Sequence, residues 1–150
     1  MPIFVALDEN WLVTRRIKGG PLSAFGIGAL EVKPFNPDAD PWAMPAGTIM
    51  LGQDVDKDRL HHGYRTAAGY LGLRPVLTGQ AVTGATVTLP ACPAGTVIEV
   101  HDLAGGEVMH SLTANADGFT DTITFEDAGQ YAVEIDPPAP WLDMTLKVEV

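Results

Sequence analysis

The stretch from residue 127 to residue 136 reads DAGQYAVEID and decides the class of fold. Tyr131, Val133 and Ile135 alternate there with small or acidic residues, which is the period-two pattern of a β-strand with one buried face. The turn-forming residues Asp127-Ala128-Gly129 come directly before this strand. The second half of the chain is therefore predicted to consist of strands whose apolar side chains share one sheet face.

The same pattern extends over most of residues 76–150. Its alternating or strand-like segments are residues 85–89, 96–101, 107–113, 119–125, 131–136 and 142–150. The dipeptide Asp117-Gly118 adds a hairpin signal. Short strands separated by turns at this spacing predict an antiparallel β-sandwich.

Residues 1–75 predict a small α+β module. The apolar runs 3–7 and 11–17 flank the turn residues Asp8-Glu9-Asn10, which predicts an opening hairpin with Trp11 in its core. A further short strand is expected within residues 25–32. The segment 34–45 contains four prolines, so we expect a surface loop there that carries Trp42.

The one predicted helix of this module runs from Asp56 to Leu71. Asp56 is a good N-cap residue, and Leu60, Tyr64, Ala67 and Leu71 recur at the spacing of a single helical stripe. The module is thus expected to combine a hairpin with one helix.

The charge of the chain is unevenly distributed. The whole chain has 19 acidic and 9 basic residues, a formal charge of −10. Residues 1–74 hold eight of each sign, so residues 75–150 carry the entire −10. A neutral half and an acidic half predict two modules, and they disfavour nucleic acid as a partner because that binding needs a basic face. The sequence also has no apolar run long enough to cross a membrane.

The sequence favours a protein that is not an enzyme. Ser23 and Ser111 are the two serines, and neither lies in a Gly-x-Ser-x-Gly motif. Gly26-Ile27-Gly28 lacks the third glycine of a dinucleotide-binding loop. Cys92 has no basic neighbour in sequence, so it is expected to be structural. We predict no catalytic residues and no cofactor.

Metal sites are not predicted either. The acids at positions 54, 56 and 58 have the spacing of a calcium loop, but Arg59 and Arg65 occupy the positions where that loop needs Gly and Glu. His61 and His62 are adjacent, so on a helix they would diverge. His101 and His110 lie on neighbouring predicted strands, with no evident third ligand.

Trp42, Tyr64 and Arg65 form the candidate docking interface of the N-terminal module. Aromatic residues and arginine are enriched at protein interfaces, and a Trp in a proline-rich loop is less assured of burial than a Trp on a strand. Trp141, which follows a proline-rich stretch, is instead expected to close one end of the sandwich.

Two resemblances add to this interpretation. Asp127, Gly129 and Tyr131 resemble the Asp-x-Gly-x-Tyr corner of immunoglobulin-like (Ig-like) domains, in which the Tyr hydroxyl bonds back to the backbone. The position of the family's second cysteine is Val133, so the resemblance is to disulfide-free Ig-like modules of bacterial and phage proteins. It implies an Ig-like sandwich over residues 76–150.

The order of Gly95-Thr96-Val97, Gly129-Gln130-Tyr131 and Pro140-Trp141-Leu142 before the final strand is similar to C-terminal modules of tailed-bacteriophage structural proteins. The turn Leu7-Asp8-Glu9-Asn10, the strand-like run from Pro45 to Leu51 and the predicted helix from Asp56 to Leu71 follow in an order that resembles tail-fibre-associated phage proteins. These resemblances imply a non-enzymatic structural protein of the tail, baseplate or head surface. Its partners would be other virion proteins or further copies of itself, and it would reside in virions assembled in the host cytoplasm.

The alternative is a carbohydrate- or cell-surface-binding adhesion module. Such a module would present a row of exposed aromatic residues on one sandwich face. The sequence places Phe119, Phe125 and Tyr131 at inward positions instead.

Overall fold

The computed structural model describes residues 2–19 and 28–150. The chain divides into two compact units, Met1–Arg74 (unit 1) and Pro75–Val150 (unit 2). This division lies one residue from the boundary that the change in charge and periodicity predicts. Among the described residues, none forms a helix with the length and apolar character needed to cross a membrane.

The described residues of unit 1 form six short strands and one 3-10 helix. The strands are β1 (Ile3–Leu7), β2 (Val13–Lys18), β3 (Leu30–Lys33), β4 (Thr48–Met50), β5 (Gly63–Arg65) and β6 (Leu71–Leu73), and the helix spans Lys57–His62. The predicted opening hairpin is the antiparallel pair β1–β2. The strand expected within residues 25–32 is represented by β3, and residues 25–27 lie outside the described residues.

Two single bridges close the strands of unit 1 into a ring. Four strands form a sheet in the order β2-β1-β3-β4, and β5 pairs with β6. Leu51, directly after β4, bridges to Leu71 in β6, and Leu12, directly before β2, bridges to Tyr64 in β5. Within the described residues the ring is a small six-stranded barrel, in which each end of the four-stranded sheet is joined to the β5–β6 hairpin by one bridge.

Apolar residues from both ends of unit 1 fill the barrel. Ile3, Val5, Ile49, Leu60 and Leu71 form its buried core. Ile3 and Val5 are two residues apart on β1, so they point to the same side of the sheet. The core therefore needs the 3-10 helix, which supplies Leu60, and the β5–β6 hairpin, which supplies Leu71.

The helix predicted from Asp56 to Leu71 is wrong in length and type. Asp56 does act as an N-cap, and its carboxylate accepts a hydrogen bond from the Asp58 N–H at 2.9 Å. The helix that follows is a 3-10 helix that ends at Gly63. The rest of the segment forms β5 and the start of β6, because pairing with their neighbours completes the barrel and outweighs a helical spacing already weakened by Gly63 and Gly69.

The proline-rich segment between β3 and β4 is an ordered series of turns, as its composition predicts. The Asn36 side-chain oxygen accepts a hydrogen bond from the Asp38 N–H, and the Asp40 carboxylate accepts one from the Trp42 N–H. Such short side-chain bonds fix turns without a regular element. β3 and β4 run parallel, so the chain must cross over between them, and this loop makes the crossing.

Unit 2 contains seven strands in two antiparallel sheets. They are β7 (Ala81–Thr83), β8 (Thr86–Thr88), β9 (Val97–Asp102), β10 (Glu107–Thr113), β11 (Thr122–Thr124), β12 (Gln130–Asp136) and β13 (Met144–Glu149). One sheet has the order β10-β9-β12-β13 and the other β11-β8-β7. The Asp117-Gly118 hairpin is not formed, because β10 and β11 on either side of that turn belong to different sheets.

Both sheets contribute to one core. Val87 of β8 and Phe125, which follows β11, are buried in the same cluster as Ile98, Val133 and Ile135 of the larger sheet. Two antiparallel sheets around a shared core are consistent with a β-sandwich. The period-two pattern of β12 is present, with Tyr131, Val133 and Ile135 buried and Glu134 and Asp136 exposed.

Candidate functional site

An arginine and two tryptophans meet on the surface of unit 1. The guanidinium carbon of Arg65 lies 3.9 Å from the ring centroid of Trp42. The Trp42 ring in turn contacts that of Trp11, with 5.4 Å between centroids and 56° between planes. We call these three residues the Trp42 cluster. Its tryptophans remain 45% (Trp11) and 48% (Trp42) exposed, so they offer apolar area to a partner.

Hydrogen bonds hold Trp42 in place although half of the residue is exposed. Its indole Nε1–H donates to the Ala67 carbonyl at 3.2 Å, and its backbone N–H donates to the Asp40 carboxylate at 2.9 Å. The β5–β6 connection and the proline-rich loop thus fix the ring from two sides. A ring held in this way loses little conformational entropy when a partner binds to it.

Arg65 fastens the same two segments together. Its Nε–H donates to the Gly69 carbonyl and its Nη2 to the Pro41 carbonyl, each at 3.2 Å. Burial of the guanidinium lowers the pKa of Arg65 from its ordinary value, but arginine stays protonated at neutral pH. The cluster therefore combines one fixed positive charge with two aromatic faces.

Trp11 joins the cluster because of a strained turn. The β1–β2 connection places Trp11 at φ +64°, a region that bulky residues rarely adopt. The Asp8 carboxylate accepts hydrogen bonds from the N–H groups of Asn10 and Leu12, which holds the turn. The expectation that Trp11 lies in the hairpin core is wrong, since this turn directs its ring outward toward Trp42.

Gly69 makes room for the cluster. Its φ is +99°, and a Cβ at this position would lie 2.9 Å from Trp42 Nε1 and 3.0 Å from Trp42 Cδ1. Only glycine avoids both the backbone strain and the collision. The indole ring therefore sits directly against the backbone of the β5–β6 turn.

Tyr64, the third residue predicted for the docking interface, does not belong to the cluster. It precedes Arg65 on β5, so the two side chains point to opposite faces of the strand. In the register of the hairpin, Tyr64 is opposite Gly72, whereas Arg65 is opposite Leu71. The structure brings together two of the three predicted residues and adds Trp11, whose role the sequence pattern missed.

A separate cleft in unit 1 has a volume of about 410 Å³. Its walls are mostly apolar, including Ile3, Val32, Phe35 and Val55. The polar side chains that line it are Lys33, Asp54 and Lys57, and Lys33 is paired with Glu31 at 3.1 Å. The described lining contains no Ser, Cys or His, so this cleft offers no pairing of a nucleophile with a histidine base.

The residues of the predicted tyrosine corner lie at the start of β12. The Tyr131 hydroxyl donates a 2.9 Å hydrogen bond to the Asp127 carbonyl, four residues earlier. The Tyr131 ring stacks on Phe125 with 4.2 Å between centroids. A Cβ at Gly129 would lie 3.3 Å from the Tyr131 hydroxyl oxygen, so a small residue there lets the hydroxyl reach back.

The aromatic residues of unit 2 do not form an exposed row. Phe125 and Tyr131 are buried, and Phe119 and Trp141 are partly buried against the same core. The large aromatic side chains exposed among the described residues are Trp11 and Trp42 of unit 1.

The two pairs of histidines considered as metal ligands from the sequence have different surroundings in the structure. The rings of His61 and His62 do not diverge as expected but contact each other, with 4.1 Å between centroids and 48° between planes. His101 and His110 do not converge, since His110 is opposite the inward-facing Val100, and His101, next to Val100 on β9, faces the other way. His101 instead lies 3.2 Å from carboxylate oxygens of both Glu99 and Glu134. The sequence alone did not predict that Glu99, His101 and Glu134 lie together, because their proximity depends on the register between β9 and β12.

Cys92 is a structural residue in this fold. It is fully buried in the core of unit 2, where its thiol donates to the Pro90 carbonyl at 3.2 Å. Burial raises the pKa of the Cys92 thiol above its ordinary value. A thiol that is enclosed and protonated is a poor nucleophile.

The chain was compared with family models, with curated proteins and with solved structures, and none of the three comparisons yields a match.

Proposed function

We propose that this chain is a non-enzymatic structural or accessory protein of a tailed-phage particle, and that the Trp42 cluster is its docking surface. The observation that carries the proposal is the cluster itself, two exposed tryptophans held by an arginine on the charge-neutral unit. Interface hot spots are rich in Trp and Arg. The occupant of this surface is another protein of the particle, on its tail, baseplate or head.

The charge distribution supports this division of roles. Unit 1 has no net charge, so a protein partner can approach it without long-range repulsion. Unit 2 carries the entire formal charge of −10, which keeps it soluble and discourages association between free copies. Docking through unit 1 leaves the acidic unit exposed on the particle.

The proposal includes an Ig-like sandwich for unit 2. The sheets β11-β8-β7 and β10-β9-β12-β13 support this assignment when they are taken as E-B-A and C′-C-F-G, with β10 beside strand C rather than in the ABED sheet of constant domains. Tyr131 near the start of β12 supports this assignment through its bond to the Asp127 carbonyl. Val133, at the position of the family's second cysteine, is fully buried, so an apolar contact replaces the disulfide.

The proposal is tested on particles. Tailed particles from a host culture in which this chain is expressed, purified on a density gradient, are expected to contain the chain in a fixed ratio to the major tail or capsid protein by quantitative mass spectrometry. Antibody against the chain should label one part of the particle in electron micrographs. Its absence from the purified particles, while it is present in the same lysate, would contradict the proposal.

A second candidate is a carbohydrate- or cell-surface-binding adhesion module. The Trp11–Trp42 pair favours it, because tilted and exposed indole rings also suit stacking on sugar rings. A glycan array separates the two functions. Glycan binding that depends on Trp42 would favour the adhesion module. An array without signal would argue against adhesion and favour the structural protein of a particle.

A further inference from the structure

Three potential metal ligands converge on the outer face of the larger sheet of unit 2. Glu99 of β9 and Glu134 of β12 are direct partners in the strand register. His101 lies two residues after Glu99 on β9, so its side chain points to the same face. The opposite face carries the buried core residues Ile98 and Val100. The backbone register alone thus brings an imidazole and two carboxylates together.

The histidine nitrogen lies between the two carboxylates without a hydrogen bond. His101 Nε2 is 3.2 Å from Glu99 Oε2 and 3.2 Å from Glu134 Oε2. The atom is enclosed, although 21% of the side chain is exposed, and it has no hydrogen-bond partner. A buried polar atom without a hydrogen bond is unfavourable, and the two carboxylate oxygens at 3.2 Å are the groups with which this nitrogen could share a cation.

The two carboxylates repel each other, and a positive charge between them would relieve that repulsion. Like charges directly opposite each other on neighbouring strands destabilise a sheet. Lys147 is the one basic residue of unit 2 and is opposite Ala132 on the adjacent strand. It forms no ion pair with either glutamate in the part of the chain that the structure describes. A cation bound between the two glutamates would therefore neutralise their charge.

The spacing of the donor atoms suits a tetrahedral metal ion. Two ligand atoms that each lie about 2.0–2.1 Å from Zn²⁺ at the tetrahedral angle are about 3.3 Å apart. The two nitrogen–oxygen distances of 3.2 Å agree with that value, and all three donor atoms lie within 4.8 Å of one another. Imidazole nitrogen and carboxylate oxygen are both common zinc ligands.

We infer that Glu99, His101 and Glu134 bind a divalent transition-metal ion, with Zn²⁺ the ion that suits this donor set. The ion takes the position between the three donor atoms and neutralises the two carboxylates. Three protein ligands leave a fourth tetrahedral position on the solvent side, which water or a donor atom from a partner completes. The site lies on unit 2 and does not depend on the Trp42 cluster.

Zinc titration of the full-length, untagged chain tests the inference. After dialysis against a chelator, isothermal titration with ZnCl₂ should show one bound equivalent. His101→Ala removes the nitrogen ligand and should weaken binding by more than the loss of an outer-shell partner, which costs about 10–100-fold. Glu134→Gln, which keeps the shape of an exposed side chain, should also weaken binding and guards against misfolding of the histidine variant. Circular dichroism of each metal-free variant checks its fold.

Two control variants separate this site from other histidines. His110→Ala changes the neighbouring strand on the opposite face and should bind zinc as the unmodified chain does. The double variant His61→Ala/His62→Ala should also retain binding. Co²⁺ in place of Zn²⁺ should give the intense visible absorption of tetrahedral coordination, and this absorption should disappear in His101→Ala.

Three results would overturn the inference. They are an unmodified chain without measurable zinc binding, a His101→Ala variant that binds as well as the unmodified chain, and binding that only the double variant at positions 61 and 62 abolishes. The first result would mean that these three side chains contact one another without a metal ion.

Discussion

Arg65 lies with its guanidinium 3.9 Å from the ring centroid of Trp42 and donates a hydrogen bond to the carbonyl of Pro41, the residue before that tryptophan. One arginine thus fixes both the ring and the backbone of the loop that carries it. A cation–π contact of this kind contributes about 0.5–2 kcal/mol. The proposed docking surface depends on this relationship.

Arg65→Gln should destabilise unit 1. The change removes the cation–π contact and two hydrogen bonds to carbonyl groups, and we expect a loss of about 1–3 kcal/mol in the free energy of unfolding. Urea denaturation followed by tryptophan fluorescence measures it. Arg59→Gln is the matched control, because Arg59 is exposed on the 3-10 helix, and equal losses in both variants would argue against a special role for Arg65.

Gly69→Ala should displace the Trp42 ring. The added Cβ would lie 2.9 Å from Trp42 Nε1 at φ +99°, so the variant combines backbone strain with a collision. Gly47→Ala provides the control, since Gly47 has φ +77° and an added Cβ there meets no atom within 4 Å. We expect Gly69→Ala to be the more destabilising by about 1–3 kcal/mol and to shift the tryptophan emission. Equal losses of stability in the two variants would show that the Trp42 ring moves away from the added Cβ without a cost in free energy.

Tyr131→Phe should weaken the start of β12 while the core stays packed. The ring retains its stacking on Phe125, and the lost hydrogen bond to the Asp127 carbonyl accounts for about 1 kcal/mol. Amide hydrogen exchange over residues 127–136 should become faster in the variant, and Tyr70→Phe in unit 1 should leave exchange over that range unchanged. Unaltered exchange in Tyr131→Phe would contradict a structural role for this corner.

Cys92 should react slowly with thiol reagents until unit 2 unfolds. Burial raises the pKa of its thiol above the ordinary value of 9.0, so at pH 8 the native state holds less thiolate than an unfolded chain does. The protonated thiol is favoured in the native state. The contribution of Cys92 to the free energy of unfolding is therefore complete at pH values below the pKa of the thiol in the unfolded chain. It declines as the pH rises above that pKa, because the thiol loses its proton in the unfolded state before it does so in the native state.

The rate of reaction with a disulfide reagent from pH 7 to pH 10 measures this behaviour, with urea-unfolded protein as the reference. Native protein that reacts as fast as unfolded protein at pH 8 would show that Cys92 is accessible.

Local patterns predicted unit 2 better than unit 1. The alternation at Tyr131, Val133 and Ile135 identifies a strand with one buried face because a sandwich buries one side of each strand. In unit 1, Leu60 and Leu71 have a helical spacing, yet both face the inside of a small barrel. The ring closes through single bridges of Leu12 and Leu51. No local pattern encodes these long-range bridges, so the spacing of the apolar residues predicted a helix over residues 56–71 instead of two strands.

Local sequence patterns were also insufficient to predict the Trp42 cluster and the group of Glu99, His101 and Glu134. Trp42 and Arg65 were predicted by residue type, but the position of Trp11 depends on a turn at positive φ that a tryptophan rarely adopts. Glu99 and Glu134 are 35 positions apart in the sequence and become neighbours only through the register of β9 and β12. Functional groups assembled by strand pairing are therefore found from the structure rather than from spacing along the chain.

The central claim is that the Trp42 cluster attaches this chain to a particle, and binding of purified chain to particles tests it most directly. Particles assembled in a host that lacks the chain are mixed with the full-length protein and sedimented. We expect the unmodified chain to co-sediment, and the double variant Trp11→Ala/Trp42→Ala to lose most of its binding. The control Val108→Ser/Met109→Ser changes exposed apolar residues of unit 2 and should bind normally. Retained binding by the tryptophan variant, or loss in the unit 2 control alone, would contradict the claim.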